Sequence, residues 1–132
     1  MNYHLAYVCS PLSAPTVEGL ESNRSAAEAY MGQVGEELSC RAIAPHAYLP
    51  LLLDDHDPRQ RALGLRFGME LLELCDVLVI CSNIVSIGMA GEIRRAAELN
   101  IPILVRHTAG TYHPPRRLPS AGESLEKEGW AL

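Results

Sequence analysis

The sequence predicts a small α/β domain: an open parallel sheet of four strands with helices on both faces, followed by an irregular C-terminal tail. Three observations predict it. Short apolar runs alternate with stretches of helical period. One run, DVLVIC at 76–81, is apolar nearly throughout, as a strand covered on both faces must be. Strand–helix alternation in turn calls for parallel pairing through right-handed crossovers, the layout of flavodoxin-like and Rossmann-like sheets.

The elements follow in order. Residues 3–9 (YHLAYVC) form an apolar, aromatic run ended by Ser10-Pro11, which predicts strand one. Residues 10–20 carry two prolines and a glycine and are expected as loop. Asn23 is a suitable cap for a helix whose inner face holds Ala27, Tyr30, Met31, Val34 and Leu38. RAIA at 41–44 is a second strand stopped by Pro45, and HAYLPLLLDDHD at 46–57 is expected as a long loop. Asp57-Pro58-Arg59-Gln60 is a helix start, with an aspartate cap and proline at the first helical position. That helix should run to about Leu74 with Leu63, Phe67, Leu71 and Leu74 inward. Gly64 and Gly68 lie one turn apart on it, giving either close helix packing or bare backbone beside a ligand. After strand three comes SIGMAGEIRRAAEL, a helix with Ala90, Ile93, Ala96 and Ala97 inward, and then a last strand at 103–105. The domain is expected over 1–106. Residues 107–132, rich in proline and without period, form an irregular or partly disordered arm with a short helical turn near 123–128.

A chain of 132 residues with formal net charge −5 suits one core and argues against a nucleic-acid surface. No apolar run approaches the ~20 residues that span a bilayer, so no membrane partner is expected. The N-terminus lacks a basic, apolar leader, and four cysteines without a C-x-x-C pair read as reduced thiols in a cytoplasmic protein. Neither G-x-G-x-x-G after strand one nor a P-loop is present, so no cofactor is expected. The acidic stretch at 54–57 is better read as a cap and solvated loop than as a metal site.

Open sheets of this kind bind ligands beyond the carboxyl ends of their strands. Three loops should meet there: Ser10, Pro11 and Leu12 after strand one, His46 after strand two, and the segment from Ser82 through Ser86 and Gly88 to Met89 after strand three. Glu92 then stands in the first or second turn of its helix, where the dipole favours an ionised carboxylate. Such a group at a cleft serves as a nucleophile in glycosyl chemistry, although glutamate early in a helix is also common for electrostatic reasons alone.

The pieces Y-V-C-S-P-L (7–12), A-P-H-x-Y-x-P (44–50), L-C-D-V-L-V (74–79), S-x-G-M-x-x-E-I (86–93) and I-P-I (101–103) resemble the nucleoside 2-deoxyribosyltransferase-like superfamily, in particular a bacterial and phage branch of it. The resemblance spans about residues 3–105. It implies a glutamate nucleophile at Glu92, a nucleoside or nucleotide substrate, transfer of the sugar to another base or to water, and a homodimer or larger homo-oligomer. It also implies an aspartate eight residues before Asp76, where this chain has Gly68. That departure leaves a catalytically inactive nucleotide-binding module, or a scaffold of the same fold, as the alternative. At the level of fold alone, NAD-cleaving TIR domains also place a glutamate early in a helix after a strand.

Overall fold

A computed structural model describes residues 2–125. Its element order is β1 (Leu5–Cys9), α1 (Val17–Leu38), β2 (Arg41–Ile43), α2 (Pro45–Leu52), α3 (Pro58–Glu73), β3 (Val77–Ile80), α4 (Ile87–Glu98), β4 (Ile103–Thr108) and β5 (Thr111–His113). The sheet order is β2-β1-β3-β4-β5, with the first four strands parallel. Strand order reverses between β1 and β3, the point where such sheets open a crevice.

Strand alternation divides the core into two layers. Tyr7, Cys9, Leu78, Ile80 and Val105 face α3 and α4, against Leu72, Met89, Ile93 and Ala96. Ala6, Val8, Val77 and Val79 face the other way, onto Ala27 and Val34 of α1 and Ala47 of α2. No helix among the described residues is long and apolar enough to cross a membrane. The four cysteines are unpaired, and all but Cys40 are buried.

Four details differ from expectation. The sheet carries a fifth strand beyond the four parallel ones: β5 turns back antiparallel through Ala109-Gly110, with Gly110 at φ 78°, inside the segment expected to be irregular. Glu37 of α1 fastens this edge, accepting from Arg106 at 2.9 and 3.0 Å and from the Tyr112 hydroxyl at 2.6 Å. The helical turn expected near 123–128 lies largely outside the described residues, and Ser124 forms a bridge with Ile84.

Second, the apolar front of the expected loop at 46–57 is a helix. Pro45 sits at its first position, where a missing N–H costs nothing, and the chain stays helical through Pro50. Third, α3 turns Gly64, Gly68 and Leu72 inward and leaves Leu63, Phe67 and Leu74 exposed. The leucine spacing marks a helix but not which stripe is buried: the inward stripe runs through Gly64, Gly68 and Leu72, and the leucines of the other faces stay at the surface.

Fourth, α1 begins six residues before Asn23. Thr16 is its cap, accepting from the Gly19 amide at 3.0 Å, while Asn23 donates to the Leu12 carbonyl at 2.9 Å and holds the loop after β1. Thr16→Ala should therefore lower stability by about 1 kcal/mol and speed hydrogen exchange at the Gly19 amide. Asn23→Ala should leave that amide protected; equal exchange in both variants would contradict the assignment.

Candidate functional site

On α4, Met89, Ile93 and Ala96 recur at helical spacing and point into the core. Glu92 shares that face, so the helix carries a carboxyl group inward to a site only 6% exposed. It meets the side of β1 that alternation turns toward α4. The Tyr7 hydroxyl donates to Glu92 Oε2, and the Cys9 thiol lies 3.5 Å from Oε1. The dyad is closely fitted: a Cβ at Gly68 would stand 3.2 Å from the Tyr7 hydroxyl. Arg95, one turn of charge away on the same helix, pairs instead with Glu73 and Glu98.

Burial pushes the Glu92 carboxyl up from the usual 4.5 to about 7, against the pull of the Tyr7 and Cys9 hydrogen bonds. The expected helix-dipole preference for the ionised form is thus outweighed. Glu92 is the sixth residue of α4, and the dipole fades within the first turn. Burial and then the Glu92 charge hold the Tyr7 hydroxyl well above its ordinary value, so it remains a donor.

Above the carboxyl group lies a pocket across the carboxyl ends of β1 and β2, between α2 and α3. Leu12, Pro45, His46 and Leu49 line one side, Gln60, Arg61, Gly64, Gly68 and Met69 the other, with Glu92 at the base. Its volume is about 40 Å³, room for a few waters, and about 500 Å³ when the space opening to solvent is included. His46 Nδ1 is 2.8 Å from the Ser10 carbonyl, and Nε2 is 3.9 Å from Glu92 Oε2. Burial depresses the His46 pKa and favours the neutral ring. At the rim, Arg61 donates to Asp55 at 2.9 Å and also to Ser13.

Of the nine residues expected at the site, Glu92, His46 and Leu12 line this pocket. Ser10 is buried behind it, its carbonyl bound to His46 and its hydroxyl without a partner among the described residues. Pro11 is half-buried beside it. The third loop goes elsewhere. Ser82 folds onto Ile84, with Oγ 2.9 Å from its carbonyl oxygen, and Ser86 caps α4 by accepting from the Met89 amide at 3.2 Å. Met89 fills the core, and Gly88 looks into open space. The loop is also covered: Val85 and Asn83 exchange backbone bonds with Gly122, Glu123 and Leu125. Access to Glu92 therefore comes past the bare backbone of Gly64 and Gly68, not through the glycines before it.

Sequence reasoning did not assign Tyr7 and Cys9 to the carboxyl group, nor Asp55 and Arg61 to the rim. Among the acids near in sequence to Gly68, Asp55 lines the pocket, while Asp54 and Glu70 lie on the exposed surface, each beside a basic side chain. No group of three His, Cys, Asp or Glu side chains among the described residues is arranged to hold a metal.

The shifted carboxyl group makes a stability prediction. Between pH 4.5 and about 7 the folded chain keeps a proton that the unfolded chain has released. Glu92 should thus cost no stability below pH 4.5 and progressively more up to about pH 7, roughly 3 kcal/mol in total. Glu92→Gln should flatten this slope and make the variant more stable than the parent at pH 8. Urea unfolding at pH 5 and pH 8 checks it; parallel slopes would count against a buried, proton-bearing Glu92.

No curated protein matches the chain. A solved 2-deoxyribosyltransferase structure from the psychrotolerant bacterium Bacillus psychrosaccharolyticus is similar with a TM-score of 0.53 at 20% identity, over 76% of this chain and 70% of that one. At that identity the likeness establishes a shared fold. A family model described as "Domain of unknown function (DUF7768)" matches residues 4–106, and the chain belongs to that family.

Proposed function

We propose that the protein cleaves the N-glycosidic bond of a nucleoside or nucleotide, or transfers its 2-deoxyribosyl group, with Glu92 as nucleophile. The observation that carries this reading is a buried carboxyl group at the base of a pocket, with one oxygen oriented by the Tyr7 hydroxyl. A carboxylate so placed can attack the anomeric carbon, forming a sugar ester as the carbon–nitrogen bond breaks and the base leaves. With its pKa near 7, a substantial fraction is ionised at neutral pH. The loop of Ser10, Pro11 and Leu12 would hold the sugar or its phosphate. The fold shared with a 2-deoxyribosyltransferase supports the substrate class.

Gly68, in place of the acid that the resemblance implies, favours a second reading: a nucleotide-binding module without turnover. One experiment separates the two. Deoxynucleosides, their 5′-monophosphates and NAD are incubated with the protein, with and without an acceptor base, and free base is followed by chromatography. Release of base by the parent and none by Glu92→Gln supports the enzyme. Thermal stabilisation without release supports the binding module; a ligand at 100 times its Kd should add about 2.7 kcal/mol.

The proposal extends to a cytoplasmic homodimer or larger homo-oligomer. Leu63, Leu65 and Phe67 on α3 and Leu51 and Leu52 on α2 are exposed, and a stable interface needs about 800 Å² from each partner. Light scattering at tens of micromolar should give a multiple of 14.4 kDa; a monomer mass would refute it.

A further inference from the structure

His46 stands at the second position of α2 with its ring in the pocket. Its Nδ1 is 2.8 Å from the Ser10 carbonyl oxygen. A carbonyl only accepts, so this bond places the ring hydrogen on Nδ1 and leaves a lone pair on Nε2. That lone pair is on the nitrogen nearest Glu92, 3.9 Å from Oε2. The gap is too wide for a direct hydrogen bond, and one oxygen atom about 2.8 Å from each group can bridge it.

The other candidates for proton work in the pocket are committed. Tyr7 already donates to Glu92, and Asp55 is held by Arg61 and Ser13. The Cys9 thiol is fully buried and bonded to the far carboxyl oxygen. His46 alone, among the described titratable residues lining the pocket, combines an unengaged lone pair with proximity to the carboxyl group.

Resting on the Glu92 reading above, we propose that His46 is the acid–base residue of the reaction, carrying a proton first to the departing base and then away from the incoming water. In the first half, the Glu92 carboxyl passes its proton to His46 Nε2. A Glu92 oxygen bonds to C1′, the C1′–N bond breaks with its electron pair going to the base, and the base takes the proton from Nε2. In the second half, a water oxygen bonds to C1′ and the C1′–O bond to Glu92 breaks, its electron pair returning to the carboxylate. The water's proton moves to Nε2, and its return to Glu92 restores the starting state. The sum is nucleoside plus water to free base plus sugar. One group acting as acid and then base is the alternation that retaining glycosidases use.

A merely structural His46 would position the Ser10 loop and nothing more, so the test needs a chemical readout. His46→Ala and His46→Gln are compared with the parent on a deoxynucleoside that the parent cleaves. The glutamine variant retains a donor for the Ser10 carbonyl, and circular dichroism confirms that each variant is folded. Expected is a kcat lower by about 10²–10⁴. On a second substrate whose base leaves without a proton, partial recovery with sodium azide is expected, a nucleophile that needs no proton removed, with formation of the glycosyl azide and a sugar ester detectable by intact-mass spectrometry. Glu92→Gln should show neither azide recovery nor ester. A folded His46 variant with near-parent kcat, or one with no azide recovery and no ester on the substrate whose base leaves without a proton, overturns the proposal while Glu92 stands. A parent that releases no base from any substrate overturns the Glu92 reading itself, and this proposal with it.

Discussion

The hydrogen bond from Tyr7 to Glu92 ties the central strand to the helix packed over it, and the rest of the site is arranged around that contact. It requires a carboxyl group on the apolar stripe of α4, a hydroxyl on the matching face of β1, and no side chain on the neighbouring turn of α3. Gly68 meets the last condition, since even a methyl group there would crowd the tyrosine oxygen. A charge this deep in a protein is expensive unless it is shared or neutralised. Here the structure does both in part, through two donors and a raised proton affinity. A group tuned in this way sits where a small change in surroundings alters its protonation, a common property of functional sites.

The pocket draws on both layers. His46 and Leu49 come from α2, which packs with α1 over one face of the sheet, and Gly64 and Gly68 come from α3 on the other. Only beyond the strand ends do elements of opposite faces approach one another. The reversal of strand order at β1 and β3 therefore explains why a carboxyl group from one layer faces an imidazole from the other.

Much of this was legible in the sequence. The runs YHLAYVC and DVLVIC declare buried strands by their apolar continuity, and Asp57-Pro58 starts α3 as read. Glu92 stood out because it follows a buried strand, and its burial was implicit in its spacing from Met89, Ile93 and Ala96. What spacing does not encode is the strand residue opposite, so Tyr7 looked like one more core aromatic. Pro45 and Pro50 disguised α2 as loop, although the first is a helix-starting position and the second lies late in a short helix. On α3 the leucines outnumber the glycines and drew attention to the wrong face. The loop before Glu92 was expected to meet the other two at the site, yet backbone bonds from residues far along the chain cover it.

Those distant bonds bear on how the protein should be cut. The family match ends at residue 106, yet β4 runs to Thr108, β5 follows it, and residues 122–125 are bound to the loop that leads into α4. A fragment trimmed to the family limits would shed the edge strand that Glu37 fastens and strip the backbone partners from Asn83 and Val85. The helix bearing Glu92 would then start from a frayed anchor. Boundaries drawn from sequence similarity alone would discard the segment that keeps the catalytic candidate in register.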